Sequence, residues 1–288
     1  MSELYTLHAW PVLERPVMVM GMEGWIDAGQ AAGSAVTALR ASMPHELIAS
    51  FDADELIDFR ARRPILRIAD GVDTELRWPD LRLEVATART GRSLLLLTGP
   101  EPDMRWHRFS RELVARARRL GVEMVVGLGA FPAPVPHTRP VRLAGTSPDP
   151  ALAKRVGTVP ATLDVPAGIQ GALEHAFGQA GVAAVGIWAR VPHYASALAY
   201  PAAAAALLDE LGRLTDIEVD TAALHDSARS ATAQIDQLIA ASSDHAEMVR
   251  QLEQQHDAEV GPDQMDFSRL PSGDEIAAEL ERFLRGER

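Results

Sequence analysis

The sequence contains no cysteine among its 288 residues. This absence excludes disulfide bonds, thiolate metal sites and a cysteine nucleophile, and it fits a reducing compartment. The N-terminal residues also lack the basic start and apolar core of a signal peptide. We therefore expect a cytoplasmic protein.

The chain lacks an excess of positive charge and a long hydrophobic run. Its formal net charge is −12 and its pI is near 5.2, whereas nucleic-acid binding needs a basic footprint. The longest apolar run, from Ala197 to Leu208, contains Pro201 and is far shorter than the roughly 20 residues that span a bilayer. We expect no nucleic-acid partner and no membrane insertion.

Several motifs for catalysis and cofactor binding are missing as well. There is no HExxH pattern, no GK[ST] follows a predicted strand, and the glycines at 127 and 129 lack the third glycine of a dinucleotide loop. There is also no G-x-S-x-G elbow. The sequence therefore predicts no metal and no cofactor, and it places no catalytic nucleophile.

A strand-turn-helix unit lies between Pro16 and Arg40. The continuous apolar run at 17–20 predicts a strand that is buried on both faces. Glycines then make a turn, and Asp27 is a suitable N-cap for the helix that follows. Glu23 and Trp25 therefore lie where a parallel strand ends and a helix begins, which is the usual place for ligand or partner sites in α/β proteins.

The same pattern recurs along the chain. An Arg-rich helix at 104–120 lies between two apolar strands and predicts a right-handed parallel crossover. Short strands between 65 and 85 predict a β-meander that extends the sheet. The predicted fold class is α/β with a mostly parallel, mixed sheet, whose further buried strands lie at 93–98, 122–128 and 182–189.

The pattern changes after residue 218. Long amphipathic stretches without strands predict an antiparallel helical hairpin at about 220–259, followed by a last amphipathic helix at 272–285. We therefore divide the chain into an α/β core at 1–218 and a helical appendage at 219–288.

Four carboxylates at the predicted strand ends are candidates for acid–base catalysis. Burial can raise the pKa of one member of a carboxylate pair, as such catalysis requires. The alternative is structural, because acidic residues neutralise helix N-termini and Asp27 is well placed as a cap. The candidates are Glu23, Asp27, Glu101 and Asp103, and the structural interpretation is favoured for the last three.

Histidines and aromatic residues follow the same strand ends. Neither His137 nor His193 has a second ligand at helical spacing, so a hydrogen-bonding role is favoured over metal binding. Core packing is the default for any single aromatic residue. Aromatic residues beside arginines are nevertheless enriched at protein interfaces, and three stand in such positions: Trp25, Trp106 and Tyr194.

Five ordered motifs carry a family resemblance: GMEGWIDAGQAA at 21–32, GPEPDMRW at 99–106, VPHTRP at 135–140, VPHY at 191–194 and YPAAAAALL at 200–208. Together with LEQQHD at 252–257, they resemble the proteasome assembly chaperone 2 family in its actinobacterial form. The resemblance implies a three-layer α/β/α core similar to that of purine nucleoside phosphorylases and hydrolases. It also implies self-association, as a trimer, and a chaperone-like function like that of eukaryotic relatives, which bind proteasome α-subunits.

The motifs supply ten candidate binding residues: Gly24, Trp25, Asp27, Arg105, Trp106, His137, Thr138, Arg139, His193 and Tyr194. The leading hypothesis is a non-catalytic homo-oligomer that binds or assembles proteins. The alternative is an enzyme that acts on a small polar or nucleoside-like substrate, with the four carboxylates as acid or base and Arg105 or Arg139 holding an anion. Both hypotheses need the loops at the strand ends to meet at one rim of the sheet.

Overall fold

The computed structural model describes residues 4–24, 27–158 and 162–258. The strands in these ranges are β1 (Tyr5–Leu7), β2 (Val17–Glu23), β3 (His45–Phe51), β4 (Ile65–Ala69), β5 (Val72–Arg77), β6 (Arg82–Thr87), β7 (Ser93–Pro100), β8 (Met124–Ala133), β9 (Leu143–Thr146) and β10 (Ala183–Pro192). The α-helices are α1 (Ala31–Ser42), α2 (Ala53–Leu56), α3 (Trp106–Arg119), α4 (Pro150–Val156), α5 (Ile169–Gln179), α6 (Pro201–Thr215), α7 (Ala222–Ala240) and α8 (Ser243–Ala258). No helix within these ranges is long and apolar enough to cross a membrane.

Eight of the strands form one mixed sheet in the order β1-β3-β6-β7-β2-β8-β10-β9. The central strands β7, β2, β8 and β10 run parallel, and antiparallel strands complete both sides. The central position of β2 explains its unbroken apolar run, because residues 17–20 are at most 1% exposed. The predicted α/β fold class is confirmed.

Helices cover both faces of this sheet. Val17 and Val19 pack into a core cluster with α1 and α6, whereas Met18 and Met20 point the other way and pack with α3 and α5. This alternation follows from the two-residue repeat of a strand. The result is the three-layer α/β/α arrangement that the family resemblance implied.

The helices α7 and α8 extend the layer that contains α6. Ile235 and Ile239 of α7 and Val249 of α8 are buried in the same core cluster as α6. The two helices form the predicted hairpin, with a break at 241–242. The boundary at residue 219 stays a prediction, and the predicted helix at 272–285 lies outside the described residues.

The predicted β-meander is wrong in one respect. β6 pairs with β7 and joins the sheet, but among the described residues β4 and β5 pair only with each other. Every residue of these two strands is exposed. The sequence pattern predicts strands but does not tell which sheet a strand joins. We refer to residues 65–77 as the β4–β5 ribbon.

Candidate functional site

Parallel pairing brings four loops to the carboxyl edge of the sheet, because β2, β7, β8 and β10 all end there. Asp27 forms an isolated parallel bridge with Ala130 at the end of β8. The Gly29 N–H donates to the Ser196 carbonyl over 2.7 Å, and Glu101 N–H donates to the Glu23 carbonyl over 2.8 Å. The loops that carry the sequence motifs therefore lie along one rim; Trp25 itself lies outside the described residues.

Asp27 caps α1. Its two carboxylate oxygens accept the N–H groups of Ala32 and Gly33 over 2.8 and 3.0 Å. The carboxylate reaches this far because a short 3₁₀ turn separates it from the helix, with Gly29 at φ 66° and Gln30 at φ 52°. This is the capping role that the sequence favoured, and it occupies both oxygens of the carboxylate.

Glu101 and Asp103 serve different elements. The buried Glu101 carboxylate accepts the N–H of Ile169 at the start of α5. A Cβ atom added at Gly24 would lie 3.6 Å from the other oxygen of Glu101. Asp103 accepts the N–H of Asp58 over 2.9 Å and lies 3.4 Å from the Arg62 guanidinium. Each of these two carboxylates therefore has its own structural partners, and these contacts explain both residues without an acid–base pair.

Arg105 and Trp106 fix the start of α3. The Arg105 guanidinium lies 2.7 Å from the Glu55 carboxylate on α2. The Trp106 indole N–H donates to the Pro102 carbonyl, and its ring packs against the core cluster of the α3 and α5 face. Trp106 is therefore a packed residue at the rim.

His137 is buried and lies at the centre of a polar chain that ends at the exposed Asp236. Its Nδ1 is 2.7 Å from the Tyr194 hydroxyl, and its Nε2 is 3.0 Å from Asp236 on α7. The Tyr194 hydroxyl also accepts the His137 backbone N–H over 2.9 Å. Burial raises the pKa of Tyr194, which keeps the phenol protonated. His193 stacks edge-on against Tyr194 at 5.3 Å between ring centroids.

The next two residues of this loop bind α8. The Arg139 guanidinium makes a bidentate pair with Asp257, at 2.8 and 2.7 Å, and lies 3.2 Å from Glu253. The Thr138 hydroxyl donates to the same Glu253 carboxylate. Hydrogen bonding to Arg139 lowers the pKa of Asp257 to about 2. We call the contacts of His137, Thr138 and Arg139 with α7 and α8 the clasp.

A cleft of about 930 Å³ opens beside the rim, between α1, the ends of β2 and β7, and the start of α7. Its polar lining includes Glu23, Asp27, Gln30, Arg40 and Arg82, whereas Glu101 and Asp103 do not line it. Of the four predicted carboxylates, only the first two therefore share one cleft. Among the described residues, no cluster of three or more His, Asp or Glu residues is arranged to hold a metal ion.

Sequence reasoning missed Glu84, which is 3% exposed. Its Oε1 lies 3.0 Å from Arg40 and 3.9 Å from Arg82, the two cleft arginines. The available signal was a charged residue within an otherwise apolar strand pattern. The clasp partner Asp236 was missed too, whereas Glu253 and Asp257 fall within the LEQQHD motif.

The predicted binding residues thus fall into three groups along the rim. Asp27 lies at the cleft, and Arg105 and Trp106 lie at the junction of α2 and α3. The candidates that follow β8 and β10 lie in or next to the clasp: His137, Thr138, Arg139, His193 and Tyr194.

Comparison with known proteins identifies a matching family and similar solved structures. The sequence profile of the PAC2 family matches residues 21–239. A Mycobacterium tuberculosis protein of unknown function, Rv2714, is 37% identical with a TM-score of 0.83, covering 89% of this chain and 91% of that chain. A PAC2 family protein from Streptomyces avermitilis is 42% identical with a TM-score of 0.73, covering 81% of this chain and 99% of that chain.

A third structure is that of the M. tuberculosis proteasome-assembly chaperone homologue Rv2125. It is 40% identical with a TM-score of 0.75, covering 81% of this chain and 99% of that chain. No curated protein matches. The matched profile covers most of the chain and the order of its motifs agrees with the fold, so the chain belongs to the PAC2 family.

Proposed function

We propose that this protein is a cytoplasmic, non-catalytic homo-oligomer that binds and assembles other proteins. A chaperone-like function is what its family membership and its 40% identity to a proteasome-assembly chaperone homologue support. The trimer is the state that the family resemblance implies, and the absence of cysteine supports the cytoplasm. The observation that carries the proposal is the uncovered apolar face of the β4–β5 ribbon.

The register of the ribbon separates its side chains into two unlike faces. Leu66 pairs with Leu76 across the strands, and alternation puts Ile68 on the same face. The neighbouring cross-strand pair, Arg67 and Glu75, points to the opposite face. Leu66, Leu76 and Ile68 are 46%, 46% and 62% exposed. This face is therefore mainly apolar, with Asp73 opposite Ile68 beyond a register shift, and no described residue covers it.

A two-stranded ribbon with nothing packed on it is marginally stable in water. Covering the apolar face of Leu66, Ile68 and Leu76 removes that surface from water, at roughly 25 cal/mol per Å². Its strand edges are also open, which favours pairing with another chain. A protein surface that docks on the ribbon would stabilise it in both ways.

The charge around the ribbon favours a second copy of this chain as its occupant. Residues 60–82 contain six arginines and four acidic residues, whereas the whole chain has a net charge of −12. The segment 60–82, which contains the ribbon and its flanks, thus carries a small positive balance on an acidic molecule, and another copy offers the complementary charge.

Sedimentation velocity of the double variant Leu66→Ser/Leu76→Ser tests this proposal. We expect the wild type to sediment as an oligomer and the variant as a folded monomer. The matched control, Arg67→Ser/Glu75→Ser, changes the adjacent cross-strand pair on the polar face and should keep the oligomer. A monomeric wild type, or equal behaviour of the two variants, would overturn the proposal.

One observation favours the alternative, an enzyme acting on a small polar or nucleoside-like substrate: Glu23 and Asp27 line a cleft of suitable size. The capping bonds of Asp27 and the separate engagement of Glu101 and Asp103 weigh against it. Mass spectrometry of the protein purified under native conditions discriminates the two. A stoichiometric small molecule that Glu23→Gln releases would support the enzyme.

A further inference from the structure

The outer face of α3 carries a concentration of positive charge that is unusual for this acidic chain. His107, Arg111, Arg118 and Arg119 are all exposed. Arg111, Arg118 and Arg119 have no ion-pair or hydrogen-bond partner for their side chains within the described ranges. The one acidic residue of the helix, Glu112, is already committed, because Arg108 and the Leu4 N–H occupy its two oxygens.

Helix stability explains only part of this charge. Basic residues in the last turn, such as Arg118 and Arg119, interact favourably with the helix dipole. The first half of α3 carries the opposite arrangement, with Arg105 at the N-cap, His107 and Arg108 in the first turn and no acidic residue there. Positive charge at a helix N-terminus is unfavourable, and the Arg108 and Arg111 spacing adds repulsion between like charges.

The exposed basic residues also form a line. At 100° per residue, His107, Arg111 and Arg118 fall within about 40° of one another on the helix surface. The line is about 17 Å long, at a rise of about 1.5 Å per residue. Arg116 does not belong to this line, because it lies about 140–180° further around the helix, where its guanidinium is 4.8 Å from the ring centroids of Tyr5 and Trp10.

We propose that this face of α3 binds an acidic segment of a partner protein. Arginine pairs with carboxylates through bidentate, charge-assisted hydrogen bonds. An acidic helix of about three turns matches the length of the line, and arginine is among the residues on which protein interfaces most depend. A nucleic acid fits less well, because the line is short and the rest of the chain is strongly acidic.

This inference rests on the proposed protein-binding function but uses residues other than those of the β4–β5 ribbon. α3 packs on the sheet face that contains Met18 and Met20. The ribbon and the α3 line share no residue, so separate variants test them one at a time.

Fluorescence anisotropy with labelled probes tests the proposal. The probes are a helical alanine-based peptide with four glutamates on one face, and single-stranded DNA and RNA of equal charge. We expect the wild type to bind the peptide with an affinity that falls as salt rises, and to bind both nucleic acids more weakly. Arg111→Glu/Arg118→Glu should lower peptide affinity by about tenfold or more.

The matched control is Arg89→Glu/Arg155→Glu, since these two arginines are also exposed and have no side-chain partner among the described residues. It makes the same change in net charge and should keep peptide affinity within about twofold. Equal loss in both double variants, tighter binding of either nucleic acid, or no peptide binding by the wild type would each overturn the inference. Leu66→Ser/Leu76→Ser should still bind the peptide. Sedimentation therefore tests the ribbon proposal, and peptide binding tests the α3 proposal separately.

Discussion

Glu174 is a buried carboxylic acid between α5 and the sheet. Its Oε2 accepts the Thr146 hydroxyl over 2.9 Å, and the Trp188 indole N–H donates to the same hydroxyl over 2.9 Å. Burial raises the pKa of Glu174 from 4.5 to about 7, although the bonds from Thr146 and the Gly186 backbone oppose the rise. The folded protein therefore holds a proton that the unfolded chain releases at a lower pH.

The sign of the pH dependence follows from this raised pKa. The contribution of Glu174 is most favourable below about pH 4.5 and is lost as the pH rises through about 7. We expect Glu174→Gln to remove this part of the pH dependence. The free energy of unfolding of the variant minus that of the wild type should therefore be up to about 3 kcal/mol higher at pH 8 than at pH 5.

Urea denaturation at the two pH values measures this difference. The exposed residue Glu218 offers the control, and Glu218→Gln should follow the wild type at both. A Glu174→Gln variant that loses the same stability at pH 5 and pH 8 would show that the carboxyl is ionised throughout.

The clasp connects two elements that are distant in sequence. Arg139 follows β8, and its partners Glu253 and Asp257 lie on α8, more than 110 residues later. Arg139 holds the pKa of Asp257 at about 2, below its ordinary value of 3.8. This contribution is therefore present above about pH 4 and is lost only as the pH falls through about 2.

Hydrogen exchange tests what the clasp does. We expect Arg139→Ala to increase amide exchange severalfold across α8 at pH 7 while the strands β2 and β8 keep their protection, because α8 buries few other side chains. Arg229→Ala, which removes an exposed ion pair on α7, is the control and should leave α8 unchanged. Unaltered exchange in Arg139→Ala would mean that the remaining contacts, which are the Thr138–Glu253 bond and the packing of Val249 and Leu252, hold α8 without Arg139.

The sequence predicted those elements whose signal is local. The apolar run before Gly21 identified β2, and the position of Asp27 before Ala31 identified a cap. The clasp was not predicted, because its geometry depends on contacts across more than 90 residues and no local pattern pairs His137 with Asp236. The ribbon was misplaced for a related reason. An alternating strand has the same sequence pattern whether its apolar face packs against a helix or is uncovered.

Across the whole molecule, the polar rim and the apolar face of the ribbon differ in how far they are used for contacts within the chain. The rim residues are used largely within the chain: Asp27 by α1, Glu101 by α5, and Arg139 by α8. The apolar face of the ribbon has no such use by any described part of the chain, as Ile68 remains 62% exposed. An assembly protein needs exposed binding surface more than a closed catalytic centre, and this distribution of contacts agrees with that requirement.

Photo-cross-linking from the ribbon tests the central claim most directly. With p-benzoylphenylalanine in place of Leu76, we predict cross-links between copies of the chain, mapped by mass spectrometry to one defined surface of the second copy. The same substitution at Glu75, on the polar face, should give few. Exclusively intramolecular products from position 76, or equal intermolecular yield from both positions, would contradict the account.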